Sequence, residues 1–140
     1  MQAKDVMTTR PEYLSADVSI RQVAMQMRDS NTGFEPLVSN NKVVGVVTDR
    51  DIVVRGIAEG MDSAGKALDL ASGQPLYTFQ DDDLTAVLKN MQEQEVQRLL
   101  VLNNATDKDL VGIVTIGDVA DHCQDDALAK ELVACAQHYT

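Results

Sequence analysis

Two short segments of the chain place a threonine and an aspartate three residues apart. Thr48 and Asp51 form the first pair, and Thr115 and Asp118 form the second pair 67 residues later. A glycine and a β-branched run precede each threonine, so each pair lies where a predicted strand leads into a helix. A carboxylate held at a helix start can accept hydrogen bonds from the two neighbouring hydroxyls of a ribose. The spacing therefore indicates two candidate sugar-binding pairs.

The same spacing also has a purely structural interpretation. A threonine followed three residues later by an acid is the signature of a capping box, in which both side chains bind backbone N–H groups and contribute about 1 kcal/mol. Aspartate reaches the cap less comfortably than glutamate or glutamine, and both copies use aspartate. One threonine can cap a helix and contact a ligand at once, so the sequence leaves both interpretations open.

The two pairs belong to an internal duplication. Apolar residues with helical spacing at positions 20–27 recur at positions 84–91, and Ser19 is a plausible cap for the first of these helices. Each helix is followed by a predicted β-hairpin, whose loop is three residues longer in the second copy. A helix through Ile57 is expected after the first pair, and another from about Gly117 after the second.

The tail of the chain, residues 125–140, predicts an amphipathic helix. It places apolar residues on one helical face, which suits packing on the rest of the module or on a partner chain. These residues are Leu128, Leu132, Cys135 and Tyr139.

Composition and charge exclude several classes of function. Acidic residues outnumber basic residues by 22 to 12, and the net charge of −10 repels nucleic acids and anionic membranes. No apolar run approaches the roughly 20 residues needed to cross a bilayer, and residues 1–10 lack the character of a secretory leader. Two cysteines are too few for a disulfide framework, which favours the reducing cytoplasm.

The order of these motifs resembles the cystathionine-β-synthase (CBS) domain. Residues 5–8 read Asp-Val-Met-Thr and are followed by Pro11, a helix, a hairpin and the Gly-apolar-Val-Thr-x-x-Asp segment. Two such domains in tandem resemble a Bateman module, and the resemblance covers about residues 3–123. It is strongest to the small prokaryotic CBS-pair proteins that carry no attached enzyme or transporter domain.

This resemblance implies a fold of the α/β (α+β) class. Each copy would be a β-α-β-β-α unit, and the two units would pack through their sheets with pseudo-twofold symmetry, leaving two clefts. We expect one CBS domain at residues 1–60, a linker at 61–67, a second CBS domain at 68–124 and the tail helix at 125–140.

The resemblance also implies a ligand class. Members of the family bind AMP, ADP, ATP or S-adenosylmethionine in these clefts, report the ligand level to a partner protein and often form homodimers. The family's ribose contacts carry over to Thr48 with Asp51 and to Thr115 with Asp118. The expected adenine contacts are Tyr13, Leu14 and Val46 in one cleft and Tyr77, Thr78 and Ile113 in the other.

The two copies differ in ways that bear on these contacts. Residues 1–10, which precede the first copy and are here called the first lead-in, contain Met-Thr at positions 7–8, and the second copy lacks this pair. Leu100 stands where the family usually has a proline, which the first copy retains as Pro36. Residues 76–79 align with residues 12–15 only to within one residue. The adenine wall of the second site is therefore the less defined of the two.

Arg50 and Arg98 are the candidate phosphate-binding residues. A planar guanidinium offers paired donors, and backbone N–H groups at a helix start favour a nearby phosphate. A solvated surface arginine is the alternative interpretation of each. In the second copy residues 116–117 are Ile-Gly where the first has Asp49 and Arg50, so the two sites should differ in affinity.

Other motifs carry weaker signals. The residues His122, Cys123, Cys135 and His138 could be drawn as a zinc site, but Cys135 lies on the apolar face of the tail helix, where a buried thiol is a common packing residue. Residues 81–83 are three aspartates without the glycine and distal glutamate of a calcium loop. We therefore expect no metal site.

No catalytic motif is visible, so the sequence predicts a regulatory module rather than an enzyme. The leading expectation is a cytoplasmic, homodimeric sensor of adenosine-containing ligands that signals to an unidentified target protein. The alternative is a structural or protein-interaction module that keeps the fold and uses both Thr/Asp pairs only as caps.

Overall fold

The computed structural model of the protein describes residues 1–71 and 74–137. The strands are β1 Leu14–Ser15, β2 Phe34–Ser39, β3 Lys42–Thr48, β4 Tyr77–Phe79, β5 Arg98–Leu102 and β6 Leu110–Thr115. The helices are α1 Ala3–Val6, α2 Ile20–Ser30, α3 Asp49–Asp51, α4 Leu84–Gln94, α5 Ile116–Asp121 and α6 Asp126–Ala136. A π-helical segment, Ile52–Ile57, continues α3, and a 3-10 helix spans Ala67–Leu70.

The strands form two separate three-stranded mixed sheets. In the first sheet β1 runs parallel to β2 and β2 runs antiparallel to β3. The second sheet repeats this pattern with β4, β5 and β6. The mixed α/β class and the β-α-β-β-α order of each copy are confirmed.

The chain forms two compact units whose membership crosses the duplication. Residues 11–75 form one unit, here called unit A, and residues 1–10 join residues 76–140 in the other, unit B. Unit B therefore contains residues 1–10, which precede the first copy, and unit A contains the residues up to 75 that precede β4 of the second copy. The expected domain boundaries, with one CBS domain ending at residue 60 and the other beginning at residue 68, come from the sequence repeat and stay a prediction.

Unit A is built around α2 and the β2–β3 hairpin. Ser19 caps α2 as the sequence predicts, and its capping box is completed by Gln22. The helix ends at Asn31 in the left-handed conformation that suits asparagine at a C-cap. Asn40 and Asn41 both have positive φ and form the tight hairpin turn. The core consists of Ile20, Val23, Met27, Leu37, Val47, Ile52, Ala67 and Leu70.

The helix after β3 follows the predicted course with a different geometry. It begins as α3 and continues as the π-helical segment to Ile57, with Ile52 and Gly56 buried. Arg55 donates to the carbonyl of Leu70 at 2.9 Å and ties the segment to the 3-10 helix. The segment leaves Val53 and Ile57 exposed at 57% and 71%. Periodicity predicted a helix here but could not distinguish the π-helical winding.

Unit B packs α4 and α6 against its sheet. The tail helix begins after Asp125, whose side chain accepts from the N–H of Leu128 at 2.7 Å. Leu128 and Cys135 are buried, so the expected amphipathic helix packs on its own unit; Tyr139 lies outside the described residues. The buried core consists of Ala3, Val6, Leu84, Val87, Leu88, Met91, Leu99, Val101, Val114, Val119, Leu128 and Cys135. None of the helices among the described residues is long and apolar enough to span a membrane.

Candidate functional site

Both Thr/Asp pairs form capping boxes with the same geometry. Thr48 Oγ1 accepts from the N–H of Asp51 at 3.1 Å, and Asp51 Oδ2 accepts from the N–H of Thr48 at 2.9 Å. Thr115 and Asp118 repeat these two bonds at the same distances. The structure therefore shows a capping box in both copies, and sugar binding stays a prediction.

In the second pair, the capping bond uses only one of the two carboxylate oxygens of Asp118. Asp118 uses Oδ2 for the cap, while its Oδ1 lies 3.5 Å from the hydroxyl of Thr8, the outer limit of a hydrogen bond. A carboxylate can accept about four hydrogen bonds, so one cap does not exhaust it. Capping a helix and gripping a ribose are therefore compatible roles for Asp118.

Thr8 reaches this position because the first lead-in joins the second sheet. Its N–H donates to the carbonyl of Ile113 at 2.8 Å, and the N–H of Ile113 donates back to Thr8 at 3.0 Å. Sequence reasoning did not identify Thr8 as a site residue. The available signal was the Met-Thr of residues 7–8, which the second copy lacks.

The strand register in unit B gathers most of the predicted contacts on one face. Tyr77 pairs with Leu100 and Leu100 with Ile113, while Arg98 pairs with Thr115. Paired residues in neighbouring strands point to the same side of a sheet. The opposite side carries the core residues Leu99, Val101 and Val114. We call the side with Tyr77 and Arg98 the outer face of the unit B sheet.

Thr78 is separated from this outer face. It pairs with Val101 on the core side, is 3% exposed, and its hydroxyl donates to Asp82 Oδ2 at 2.7 Å. Asp82 also accepts from the N–H of Phe79 at 2.9 Å. The structure therefore gives Thr78 a structural role beside Asp82. Its side chain lies on the opposite side of the sheet from those of Tyr77 and Ile113.

Unit A shows the corresponding arrangement. Val46 pairs with Pro36 and Thr48 with Phe34, which places these side chains on the outer face of the unit A sheet. Leu14 instead pairs with Leu37, a core residue, and packs against the core. The half-buried Tyr13 immediately precedes β1. The structure therefore groups Val46 with Thr48 and separates Leu14 from them.

The charged residues of the two outer faces differ. In unit B the half-buried Arg98 lies opposite Thr115, whereas Phe34 holds the equivalent position opposite Thr48 in unit A. The exposed Arg50 lies on α3, where its backbone N–H donates to Asp49 Oδ1 at 2.8 Å. Unit B thus has an arginine within its sheet, and unit A has one at its helix start beside a carboxylate.

A close approach shapes the start of the helix in unit A. The N–H of Asp49 donates to the carbonyl of Gly33 at 2.9 Å. A Cβ at Gly33 would lie 2.5 Å from Asp49 Oδ2, so a larger residue there would require this exposed carboxylate to move. The carboxylate of Asp49 is thereby held beside Arg50 at the edge of the candidate site.

The cysteine and aspartate clusters have structural partners. Cys135 is 1% exposed and donates to the carbonyl of Leu88 at 3.4 Å; burial, with a smaller contribution from Glu131, raises the pKa of its thiol. Such a thiol acts as a packing residue. In residues 1–71 and 74–137 no group of three or more His, Cys, Asp or Glu residues is arranged to hold a metal ion, and His138 lies outside those ranges.

Each of the three consecutive aspartates at positions 81–83 also forms a hydrogen bond or an ion pair. Asp81 pairs with Lys4 at 2.8 Å, and Asp83 caps α4 by accepting from the N–H of Thr85 at 3.0 Å. Asp82 holds the strand end as described above. These bonds fix the loop before α4 and the first lead-in segment, which is the role expected of acids at a helix start.

Comparison with known proteins places the chain in a family. The sequence model of the CBS domain matches residues 3–56 and 67–125. The Bacillus subtilis protein YlbB is 35% identical over 119 residues, covering 84% of this chain and 78% of that protein. Hypoxic response protein 1 of Mycobacterium tuberculosis is 30% identical over 130 residues, covering 91% and 89% of the two chains.

Solved structures agree with this assignment. The crystal structure of Hypoxic Response Protein I, which holds two coordinated zinc ions, has a TM-score of 0.74 at 30% identity and covers 88% of this chain and 99% of that one. The CBS domain protein PAE2072 of Pyrobaculum aerophilum, complexed with AMP, has a TM-score of 0.77 at 24% identity over 95% and 98% of the two chains. The duplication, the repeated sheets and the paired family matches together show that this chain belongs to the CBS domain family, as two CBS domains in tandem.

Proposed function

We propose that the protein is a regulatory, non-catalytic module that binds an adenosine-containing ligand, with the unit B outer face as its main site. The observation that carries this proposal is the strand register, which aligns Tyr77, the buried Leu100 and Ile113 in one row and Arg98 and Thr115 in the next. The rows are two residues apart, about 7 Å along the strands. That spacing suits a base on the first row and a ribose phosphate on the second.

Each part of such a ligand has a matching group. Tyr77 is 38% exposed and offers an aromatic surface, and Ile113 an aliphatic one, for an adenine ring. Asp118 and Thr115 would hold the ribose hydroxyls, and Arg98 would bind a phosphate. PAE2072 shares the fold and was crystallised with AMP; AMP, ADP, ATP and S-adenosylmethionine are the ligands proposed for this chain.

The unit A face would bind its ligand differently. Phe34 stands where unit B has Arg98, so a phosphate there must rely on Arg50 and on backbone N–H groups at the start of α3. The carboxylate of Asp49 beside Arg50 disfavours additional negative charge. We expect unit A to bind anionic nucleotides such as AMP more weakly than unit B, and S-adenosylmethionine, which carries no phosphate, is the ligand best suited to it.

Signalling would follow from linkage. A ligand on the unit B face meets Thr115 and Asp118 from the second copy and Thr8 from the lead-in of the first copy. A bound ligand therefore stabilises the docking of residues 1–10, and only its differential affinity for the docked state shifts the population. A separate target protein, in the cytoplasm, would respond to that change.

Ligand-induced thermal stabilisation tests the proposal. At 100 times its Kd, a ligand that binds only the folded state stabilises the fold by about 2.7 kcal/mol, which raises the Tm by roughly 5 to 10 °C for a chain of this size. We expect this rise with at least one of AMP, ADP, ATP and S-adenosylmethionine at millimolar concentration. Ribose 5-phosphate, which lacks the base, is the control. If none of the four ligands changes the Tm, the alternative of a structural module, favoured by the two capping boxes, replaces the sensor.

We also propose that the protein is a homodimer that uses the surface after β3. Val53, Val54 and Ile57 form an exposed apolar patch on the π-helical segment, and patches of this kind mark protein contacts. Ile57→Asp should convert the dimer to a monomer in light scattering at micromolar concentration. Val133→Asp changes an equally exposed valine, 65% exposed on α6, and should leave the dimer intact. A monomeric wild type would contradict this proposal.

A further inference from the structure

The hairpin loop of the second copy, residues 103–109, is three residues longer than its counterpart and contains several hydrogen bonds from its own side chains. Asn104 Oδ1 accepts from the N–H groups of Thr106 and Asp107 at 3.0 and 2.7 Å. Asn103 Oδ1 accepts from the N–H of Asp109 at 2.9 Å. These side-chain turns stabilise the conformation of the loop. The insertion therefore builds a defined structure beyond the ends of β5 and β6.

The ordered loop directs one side chain to the outer face. Lys108 has a φ of 54°, and its N–H donates to the carbonyl of Asn104 at 3.0 Å. Its ammonium nitrogen lies over the ring of Tyr77, 5.5 Å from the ring centroid. This distance is within the range of a cation–π interaction. The first copy closes its hairpin at Asn40 and Asn41 and has no comparable insertion.

Tyr77 is the aromatic residue in the row that would receive a base. Phe79 contacts it edge-on at a centroid distance of 5.5 Å and an interplanar angle of 62°. The backbone carbonyl of Tyr77 accepts from the side chain of Asn90 at 2.9 Å, which holds the strand in place. Phe79 thus packs against the ring, and the face that the Lys108 ammonium covers cannot hold a stacked base at the same time.

We propose that Lys108 is a built-in competitor for the base-stacking surface of the unit B site and thereby sets that site's affinity for aromatic ligands. This inference rests on the proposed function of the same site. A base that stacks on Tyr77 must first displace the ammonium, so part of the binding free energy replaces the cation–π contact. Removing the charge should therefore tighten binding of AMP by about two- to fivefold.

Calorimetric titration of AMP tests this role in the 140-residue chain, with Asp51→Ala present throughout to disable the unit A site. Lys108→Met keeps the length of the side chain without its charge and should lower the Kd by about two- to fivefold. Lys108→Arg keeps the cation and should not lower the Kd. In Tyr77→Leu the additional Lys108→Met change should have no effect, because the surface for which the two groups compete is gone. An unchanged or raised Kd in Lys108→Met overturns the competitor role, since the ammonium would then be neutral or a ligand contact.

A ligand-independent measurement separates this inference from the proposed function. In the free protein the Cε protons of Lys108 should show an upfield ring-current shift by NMR, and Tyr77→Leu should abolish it. AMP should return the shift towards that of an unstacked lysine. Absence of the shift in the free protein overturns the contact itself. If the shift is present but neither AMP nor ADP, ATP or S-adenosylmethionine binds, the proposed function fails and the competitor role fails with it, while the contact remains.

Discussion

Asp51→Ala and Asp118→Ala should each weaken AMP binding at one site by about 10- to 100-fold, whereas Gln22→Ala should leave binding unchanged. A charge-assisted hydrogen bond contributes about 1.5 to 3 kcal/mol, and each aspartate would make at least one to the ribose. Gln22 occupies the same position as Asp51 in a capping box, with Ser19 in place of Thr48. All three variants lose a cap, but only two lose a proposed ligand contact.

Stability and binding should therefore separate in this series. Each variant should lower the free energy of unfolding by about 1 kcal/mol, as expected for a lost cap, and denaturant titration measures that change. Calorimetry with AMP and 2′-deoxy-AMP measures the sugar contact, because the deoxy compound lacks one of the two neighbouring hydroxyls. The wild type should prefer AMP, and Asp118→Ala should lose that preference at the unit B site. Equal affinity of the wild type for both nucleotides would mean that the aspartates act only as caps.

Much of the fold could be predicted because it depends on local patterns. The duplication gave the element order of both copies, Ser19 was recognised as a cap, and the polar turn between β2 and β3 was recognised from its composition. The Thr48 and Thr115 segments were correctly placed at helix starts. Each of these features is determined by residues close together in sequence, where hydrogen-bonding preference and periodicity act directly.

The side of the sheet to which a residue points was harder to predict. The sequence alignment of residues 76–79 with residues 12–15 was uncertain by one residue, and a shift of one residue moves every side chain of a strand to the other face. Leu14 and Thr78 were expected beside the base, and both pair with core residues instead. In strands only two and three residues long, too few side chains alternate to fix the register from sequence.

Contacts between distant segments could not be predicted at all. Nothing in the pattern of residues 1–10 indicates that they pair with β6, so Thr8 was not recognised beside Asp118. Lys108 was equally hidden, because a loop insertion shows where the chain has extra length but not which surface it covers. Both residues reach the candidate site through tertiary packing that no local preference determines.

Gly112→Ala should destabilise the protein by about 1 to 3 kcal/mol and loosen the first lead-in, since small-to-large changes in packed interiors have costs of that size. A Cβ at this buried glycine would lie 2.6 Å from Met7 Sδ and 3.0 Å from the carbonyl oxygen of Thr8. The methionine sulfur can move, but the carbonyl belongs to the backbone that pairs with Ile113. The close approach of residues 7–8 therefore explains why a glycine occupies position 112, before the Ile-Val-Thr of the second copy.

Gly117→Ala is the matched control in the same unit. Its nearest neighbour to a new Cβ is Thr115 Oγ1 at 3.5 Å, an ordinary contact, and the residue lies in the first turn of α5. Alanine there should stabilise the protein by roughly 0.5 to 1 kcal/mol, because glycine loses more backbone entropy in a helix. The two glycine-to-alanine changes should thus shift the free energy of unfolding in opposite directions.

Hydrogen exchange shows whether the Gly112 effect acts through the lead-in. The N–H groups of Thr8 and Ile113 bind each other's carbonyls, so both should lose protection in Gly112→Ala, while the α6 amide of Leu128, held by Asp125, should lose much less. AMP should increase protection at Thr8 in the wild type, because the proposed ligand site lies beside its hydroxyl. A Gly112→Ala protein with wild-type stability and unchanged protection at Thr8 would show that residues 1–10 do not dock on β6 in solution, and the linkage proposed between ligand and lead-in would then have no structural basis.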